Sequence, residues 1–252
     1  MTDISKVVTM SVQLQSEFTK LYYIFLPVFV GLTLIFSFFR HGFLGADTAQ
    51  VIKRVIISLI LLISFNQVSG LIQTVSDDLK ERIDSQRSFG KLFELAKTKS
   101  EQIKNSKKIS LFMPQDLIVS LIAYGSFFSL YIIRVFMMSL FHFFWILLHI
   151  LSPLMILMYI FPSTANVTGN LYKGLIEIAL WKVFWAIFAV ILLTMNYSEL
   201  YSMEGRYLNV IVFNFLICAM MLFTPIVVHY LTTTGIGALT TASAFLGASL
   251  AK

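Results

Sequence analysis

The run from Leu117 to Phe161 is 45 residues long and carries one formal charge, Arg134. About 20 apolar residues cross a bilayer core of about 30 Å, so this run spans with length to spare. A soluble domain within 252 residues could not bury it. Composition agrees: 58% of the chain is hydrophobic and 13% charged, against about 45–50% and about 25% in soluble globular proteins. The chain reads as one polytopic membrane protein.

Five apolar segments stand out: Leu21–Phe39, Val55–Val75, the long run, Ile176–Met195 and Leu208–Leu231. None alternates with a period of two, so each is predicted to be a helix rather than a barrel strand. Leu21–Phe39 exceeds the roughly 7–15 apolar residues of a signal-peptide core and reads as a span. Lys53-Arg54 precedes the second segment as an interface anchor. The expected fold is all-α, with about five transmembrane helices and one long, kinked central helix. Along the chain this gives two spans in 1–75, a charged amphipathic loop in 76–116, a membrane core in 117–231 and a small-residue tail in 232–252.

The net charge of +6 forms no nucleic-acid stripe: Ser76–Asp116 holds nine of the 19 Lys/Arg and seven of the 13 acidic residues. Direct sequence-specific nucleic-acid binding is therefore not expected. Within this loop Leu92, Phe93, Leu95, Ala96, Ile103 and Ile109 are interspersed with Lys and Glu. That pattern fits an amphipathic helix on the membrane or on a partner, or else a solvated linker. Pro114 would end this element, with Asp116 as N-cap of the next helix.

As one helix, the long run would stretch about 68 Å. Turn chemistry for a hairpin is missing, because no Gly, Pro, Asn or Asp lies between Tyr131 and Leu151. At about 100° per residue, Asp116, Ser120, Tyr124, Tyr131, Arg134, His142, Trp145, His149 and Ser152 share a sector about 80° wide. The phase holds through Arg134, so Asp116–Ser152 is expected to be one helix, interrupted at Pro153. Ser126, Ser129 and Ser139 fall off the stripe, while Phe127 and Met138 fall in it. Charged side chains facing lipid cost at least about 2.5–3.5 kcal/mol at the bilayer centre, so the stripe should face protein or a wet cavity. Helix–helix adhesion or a subunit interface is favoured over a lumen, given the apolar interruptions. Beyond one membrane thickness, Phe141, Phe143 and Phe144 would need another chain to cover them, which points to oligomerisation.

In the last segment Asn214, Cys218, Met221, Pro225, His229 and Thr232 share one face, and Pro225 should kink the helix. Ser243, Gly247 and Ala251 repeat every four residues in the tail, a spacing that lets helices approach closely. Chemistry is sparse. His142 and His149 lie two turns apart on one helix, whereas membrane haem needs His on facing helices, so His41, His142, His149 and His229 suggest neither metal nor haem. Lys173 and Glu177 read as an interfacial ion pair. The sequence has no phosphate loop, no activated Ser or Cys constellation and no convincing internal repeat. No cofactor is expected, and Cys218, the single cysteine, cannot close an intrachain disulfide.

The stretch His149–Leu192 resembles the TrbL-like polytopic inner-membrane subunits of bacterial type IV secretion and conjugation machines. The similarity rests on Ser152-Pro153-Leu154 closing a long helix, the turn Phe161-Pro162-Ser163-Thr164, and an amphipathic entry into a span bearing Gly174 and Trp181. The family's usual Gly before the first Pro is Ser152 here, and its usual Arg-Gly after the turn is replaced by Asn166–Asn170. The resemblance implies a non-enzymatic, ring-forming scaffold of the inner membrane that supports substrate transfer and pilus assembly. Its partners would be membrane lipid, copies of itself, a bitopic periplasmic subunit, a pilin and ATPases. On this reading Asp116, Ser120, Tyr131, Arg134, His142, Trp145, His149 and Ser152 face an interface or lumen, and Pro153, Pro162 and Pro225 kink the chain.

Topology divides the criteria. The N-terminus, the 76–116 loop and the loop around Arg206 share one side and carry 12 Lys/Arg against five on the other. The positive-inside rule places that side in the cytoplasm, whereas the resemblance implies a periplasmic central loop. The alternative function is a small-solute channel or secondary transporter with Arg134 and His142 lining the path. A haem-binding electron-transfer subunit is the third.

Overall fold

The computed structural model describes the backbone of residues 4–41, 48–84, 88–106, 114–194 and 207–250. Side chains are described at 9–39, 48–84, 88–98, 101, 121–122, 124–194 and 211–234. Every regular element among these residues is helical: α1 (Ile4–His41), α2 (Thr48–Ile83), α3 (Ser88–Ser106), α4 (Pro114–Leu157), a short 3-10 turn (Met158–Ile160), α5 (Asn166–Thr194) and α6 (Tyr207–Leu250). Five stretches are long and apolar enough to cross a membrane: Thr9–Phe39, Thr48–Ile83, Tyr124–Ile160, Asn166–Thr194 and Ile211–Thr234. The fold is that of an all-α, multi-pass membrane protein.

The long run is one helix, and α4 covers 44 residues without a turn. Two expectations about its ends are corrected. Pro114 opens α4 rather than closing the element before it, because a first-turn proline forfeits only an N–H that has no helical acceptor. Asp116 is thus the third helical residue, not the cap. Pro153 lies inside α4 and the helix continues to Leu157, for a reason given by Ser152 below. Pro162 kinks no helix: it sits in the turn between the 3-10 segment and α5. Pro225 lies inside α6, as Pro27 lies inside α1, and both helices run on past them.

Much of the segment expected as a loop is helical. The second span continues to Ile83, and α3 follows. Asp84 makes the corner: its N–H donates to the Lys80 carbonyl at 2.8 Å. Its carboxylate accepts the backbone N–H groups of Ser88 and Phe89, the latter at 3.1 Å. Two of the four orphan donors at the start of α3 are thereby satisfied by an anion placed at the positive end of the helix dipole. Leu92, Phe93 and Ala96 are buried, so the apolar face of α3 is covered by this chain's own residues.

The chain forms two compact units that do not follow its linear segments. One comprises residues 1–73 and 142–176, the other 74–141 and 177–252. In the first, Tyr22, Phe65, Ile156, Leu157, Ile160, Leu171 and Leu175 form a buried cluster. The second buries Leu130, Met137 and Phe141 of α4, Trp181 and Trp185 of α5, and Phe213, Ile217 and Met221 of α6. Its aromatic contacts include Phe89 stacked on Trp185, ring centroids 6.2 Å apart.

Candidate functional site

A helix leaves its last carbonyls without intrahelical donors, and those buried inside the fold have no water to replace them. Four carbonyls there receive side-chain donors instead. Thr168 Oγ1 donates to Met155 O at 2.8 Å and Ser58 Oγ to Ile156 O at 3.1 Å. Thr164 Oγ1 donates to Met158 O at 2.8 Å, and Arg54 Nη1 to Tyr159 O at 3.3 Å. Because the Ser58 proton is committed to Ile156, Tyr22 supplies its own hydroxyl proton to Ser58 Oγ across 2.8 Å. Tyr22 and Ser58 are both fully buried. The Arg54 cation also suits the negative end of the α4 dipole. The end of α4 and the residues that follow it are therefore held by three helices: α1 through Phe29 on Phe161 (centroids 5.1 Å apart), α2 through Ser58 on Ile156 and Arg54 on Tyr159, and α5 through Thr168 on Met155.

About two turns earlier, His149 Nδ1 lies 3.1 Å from Trp145 O, and Nε2 lies 3.1 Å from Ser69 Oγ on α2. A carbonyl can only accept, so Nδ1 carries a proton. Phe65 packs edge-on against the imidazole, centroids 5.3 Å apart. Gly174 brings α5 close to this part of α4: a Cβ added there would stand 3.2 Å from Leu148 Cδ1.

In the second unit, Arg134 places its guanidinium over the Phe93 ring, 4.3 Å from the centroid. It lines a shallow hollow with Glu94, Lys97 and Tyr131. Lys182 of α5 meets Asp77 Oδ1 at 2.9 Å and sits 4.8 Å from the Phe141 ring centroid. Ser76 donates to Ala179 O at 2.6 Å. Asn214 Nδ2 donates to Ser126 Oγ at 3.0 Å, both residues being buried. Glu177 turns its carboxylate to α6, accepting from Thr232 Oγ1 at 2.5 Å and meeting His229 Nδ1 at 3.2 Å.

The predicted stripe is thus divided among several environments. Trp145 and His149 are partly buried and Ser152 fully so, inside the first unit. Arg134 is partly buried and lies over Phe93 of α3, whereas Tyr131 and His142 are exposed. The side chains of Asp116 and Ser120 lie outside the described residues, as do those of the tail's Ser243 and Ala251. The stripe does not face one way: Tyr124 and Tyr131 point outward, while Ser126, which the angular reading places off the stripe, is buried. Residues that sequence reasoning passed over carry many of the contacts: Tyr22, Ser58, Ser69, Ser76, Asp77 and Lys182. Ser58, Ser69 and Ser76 recur within α2, a signal visible in sequence only as polar interruptions of an apolar run.

Chemically these groups bond one another or the backbone, and each joins two helices or closes a helix end. Among the described residues no three His, Cys, Asp or Glu side chains gather as a metal site. Comparison of the chain with known protein families, characterised proteins and solved structures finds no match among them.

Proposed function

We propose that this chain is a structural, non-enzymatic subunit of a type IV secretion or conjugation channel. Copies would assemble as a ring in the bacterial inner membrane and support substrate transfer and pilus assembly, with energy supplied by partner ATPases. The observation that carries the reading is one face of α4: Tyr124, Phe128, Tyr131 and Val135 follow one another at helical spacing, and all are exposed. Positions i, i+4, i+7 and i+11 form a continuous ridge of the kind that packs into a neighbouring helix. The ridge belongs to a helix about 66 Å long, more than twice the bilayer core, so lipid does not cover its whole length. A second copy of the chain would. The similarity of Ser152-Pro153 and Phe161–Thr164 to the TrbL-like pattern supports this class of assembly, and Thr164 helps close the end of α4 by donating to the Met158 carbonyl.

The test is purification in lipid nanodiscs with the mass of the particle measured directly. A multimer cross-linked through cysteines placed at Tyr124 and Tyr131, with secretion subunits co-purifying from the source cells, is the expected result. A monomer with both positions unlinked, or solute uptake by proteoliposomes containing this chain alone, overturns it.

A further inference from the structure

The first unit contains an open cleft of about 930 Å³ between α1, the start of α2 and the turn that precedes α5. That volume lies within the range of small-ligand sites, about 300–1,000 Å³. Its wall is aromatic: Phe29 and Phe36 both pack edge-on against Phe161, with centroids 5.1 and 6.3 Å away. Its other end is polar. Arg54 lines it with Ser163 and Thr164, and Arg54 is the one charged residue among the described lining. Among its described lining residues the cleft pairs aromatic rings with one cation, and that combination complements an amphipathic anion.

Position narrows the ligand further. The apolar run of α1 ends at Phe39, that of α2 begins at Val55 immediately after Lys53-Arg54, and the polar turn 161–165 separates two apolar helices. Three independent markers of a membrane boundary therefore meet at this cleft. Phe36 and Phe39, on its rim, are exposed. A ligand arriving laterally from the bilayer, with its headgroup at the interface and a chain among the rings, matches both ends. Basic pockets between transmembrane helices bind anionic headgroups through this combination of charge and depth.

We propose that the cleft is a binding site for one anionic glycerophospholipid. Its phosphodiester lies against the Arg54 guanidinium and the Ser163 hydroxyl, since the Thr164 proton is already given to the Met158 carbonyl, and an acyl chain lies along Phe29 and Phe36. Arg54 already donates to the Tyr159 carbonyl, so it is held in place before the lipid arrives. The occupant would join α1 to α2 at the end of α4.

The test uses the full chain, stripped of lipid in detergent and re-exposed to phosphatidylglycerol or phosphatidylcholine of matched chains, with bound lipid counted by native mass spectrometry. Wild type is expected to retain phosphatidylglycerol about fivefold better, the worth of one basic residue beside an anionic lipid. Arg54→Gln should abolish that preference, and Lys53→Gln, the same charge change at the exposed neighbour, should keep it. Because Arg54 also closes a helix end, Ser37→Trp serves as a second variant. It fills the cleft while leaving the Arg54 charge in place and should lower retention of both lipids. Equal retention of the two lipids by wild type, an equal loss in Lys53→Gln, or undiminished binding in Ser37→Trp overturns the proposal. So does displacement of the lipid by inorganic phosphate, which would mark a free-anion site.

Discussion

Ser152 donates its hydroxyl to the His149 carbonyl at 2.8 Å, and that oxygen is the one whose helical donor Pro153 removes. A proline frees the carbonyl four residues before it, and in a membrane an unmatched carbonyl is costly. Ser152 is fully buried, so no water substitutes for its hydroxyl. The pair explains why α4 passes through Pro153 and ends only at Leu157.

Ser152→Ala is therefore expected to destabilise the protein by about 1–3 kcal/mol, the cost of a buried acceptor left without a donor. Adding Pro153→Ala returns an N–H to the same oxygen and should recover most of the loss. Unfolding of the four proteins in mixed micelles measures the cycle. Additive losses, with no recovery in the double variant, would show that the hydroxyl and the proline are uncoupled.

Gly174 sets the distance between α4 and α5 near this point, where an added Cβ would meet Leu148 Cδ1 at 3.2 Å. That atom is the tip of a flexible side chain and can retreat by a few tenths of an ångström. Alanine also gains about 0.8–1 kcal/mol of helix propensity over glycine. Gly174→Ala should thus be close to neutral. Gly174→Leu must push the helices apart and should cost about 1–3 kcal/mol by overpacking. Melting temperatures of the two variants in one detergent compare them, and equal values would mean that the helices do not meet closely here.

The fold was legible where one physical signal dominated. Long apolar runs mark the five spanning helices, and the unbroken phase from Asp116 to Ser152 identifies α4 as one rod. Helix ends were less legible because helices outlast their apolar stretches: α2 continues through charged residues to Ile83, where Asp84 closes it. The facing of polar residues was legible least. An angular sector describes one helix alone, whereas α4 meets different neighbours along its length. Ser126 bonds Asn214 of α6, Arg134 covers Phe93 of α3, and His149 meets Ser69 of α2. The phase of one helix does not carry the identity of its neighbours. The donors at the end of α4 come from positions as far as 105 residues away, as for Arg54 and Tyr159, and nothing local in sequence signals them.

Lys182 and Asp77 form an unequal pair, and the inequality has a measurable consequence. The Lys182 side chain is 19% exposed and that of Asp77 47%. Removing the cation by Lys182→Met leaves a carboxylate that water can still reach, so the effect should stay within the 0–1 kcal/mol or so of an exposed pair. Removing the anion by Asp77→Asn leaves a cation that is only 19% exposed without its carboxylate, and stripping the partner from the more buried member of a pair costs more than stripping it from the exposed one. Asp77→Asn is expected to be the more damaging single change, and the double variant to be more stable than Asp77→Asn alone. If Lys182→Met proves worse, the contact of Lys182 with Phe141 outweighs the ion pair.

The exposed ridge of α4 leads to a prediction about labelling. Cys218, the single native cysteine, is buried, and replacing it with serine gives a background for single cysteines along α4. In the isolated chain Tyr124→Cys, Phe128→Cys and Tyr131→Cys should react with a small maleimide, whereas Leu130→Cys and Met137→Cys, at positions almost fully buried, should not. In the assembled complex the first three should become protected together, because one neighbouring helix covering the ridge shields i, i+4 and i+7 at once. Protection of Tyr124 alone, or of buried and exposed positions alike, would point to local rearrangement rather than to a helix docking along the ridge. Persistent labelling of all three in the native membrane would leave the ridge bare, and a ring joined through this face of α4 would then be ruled out.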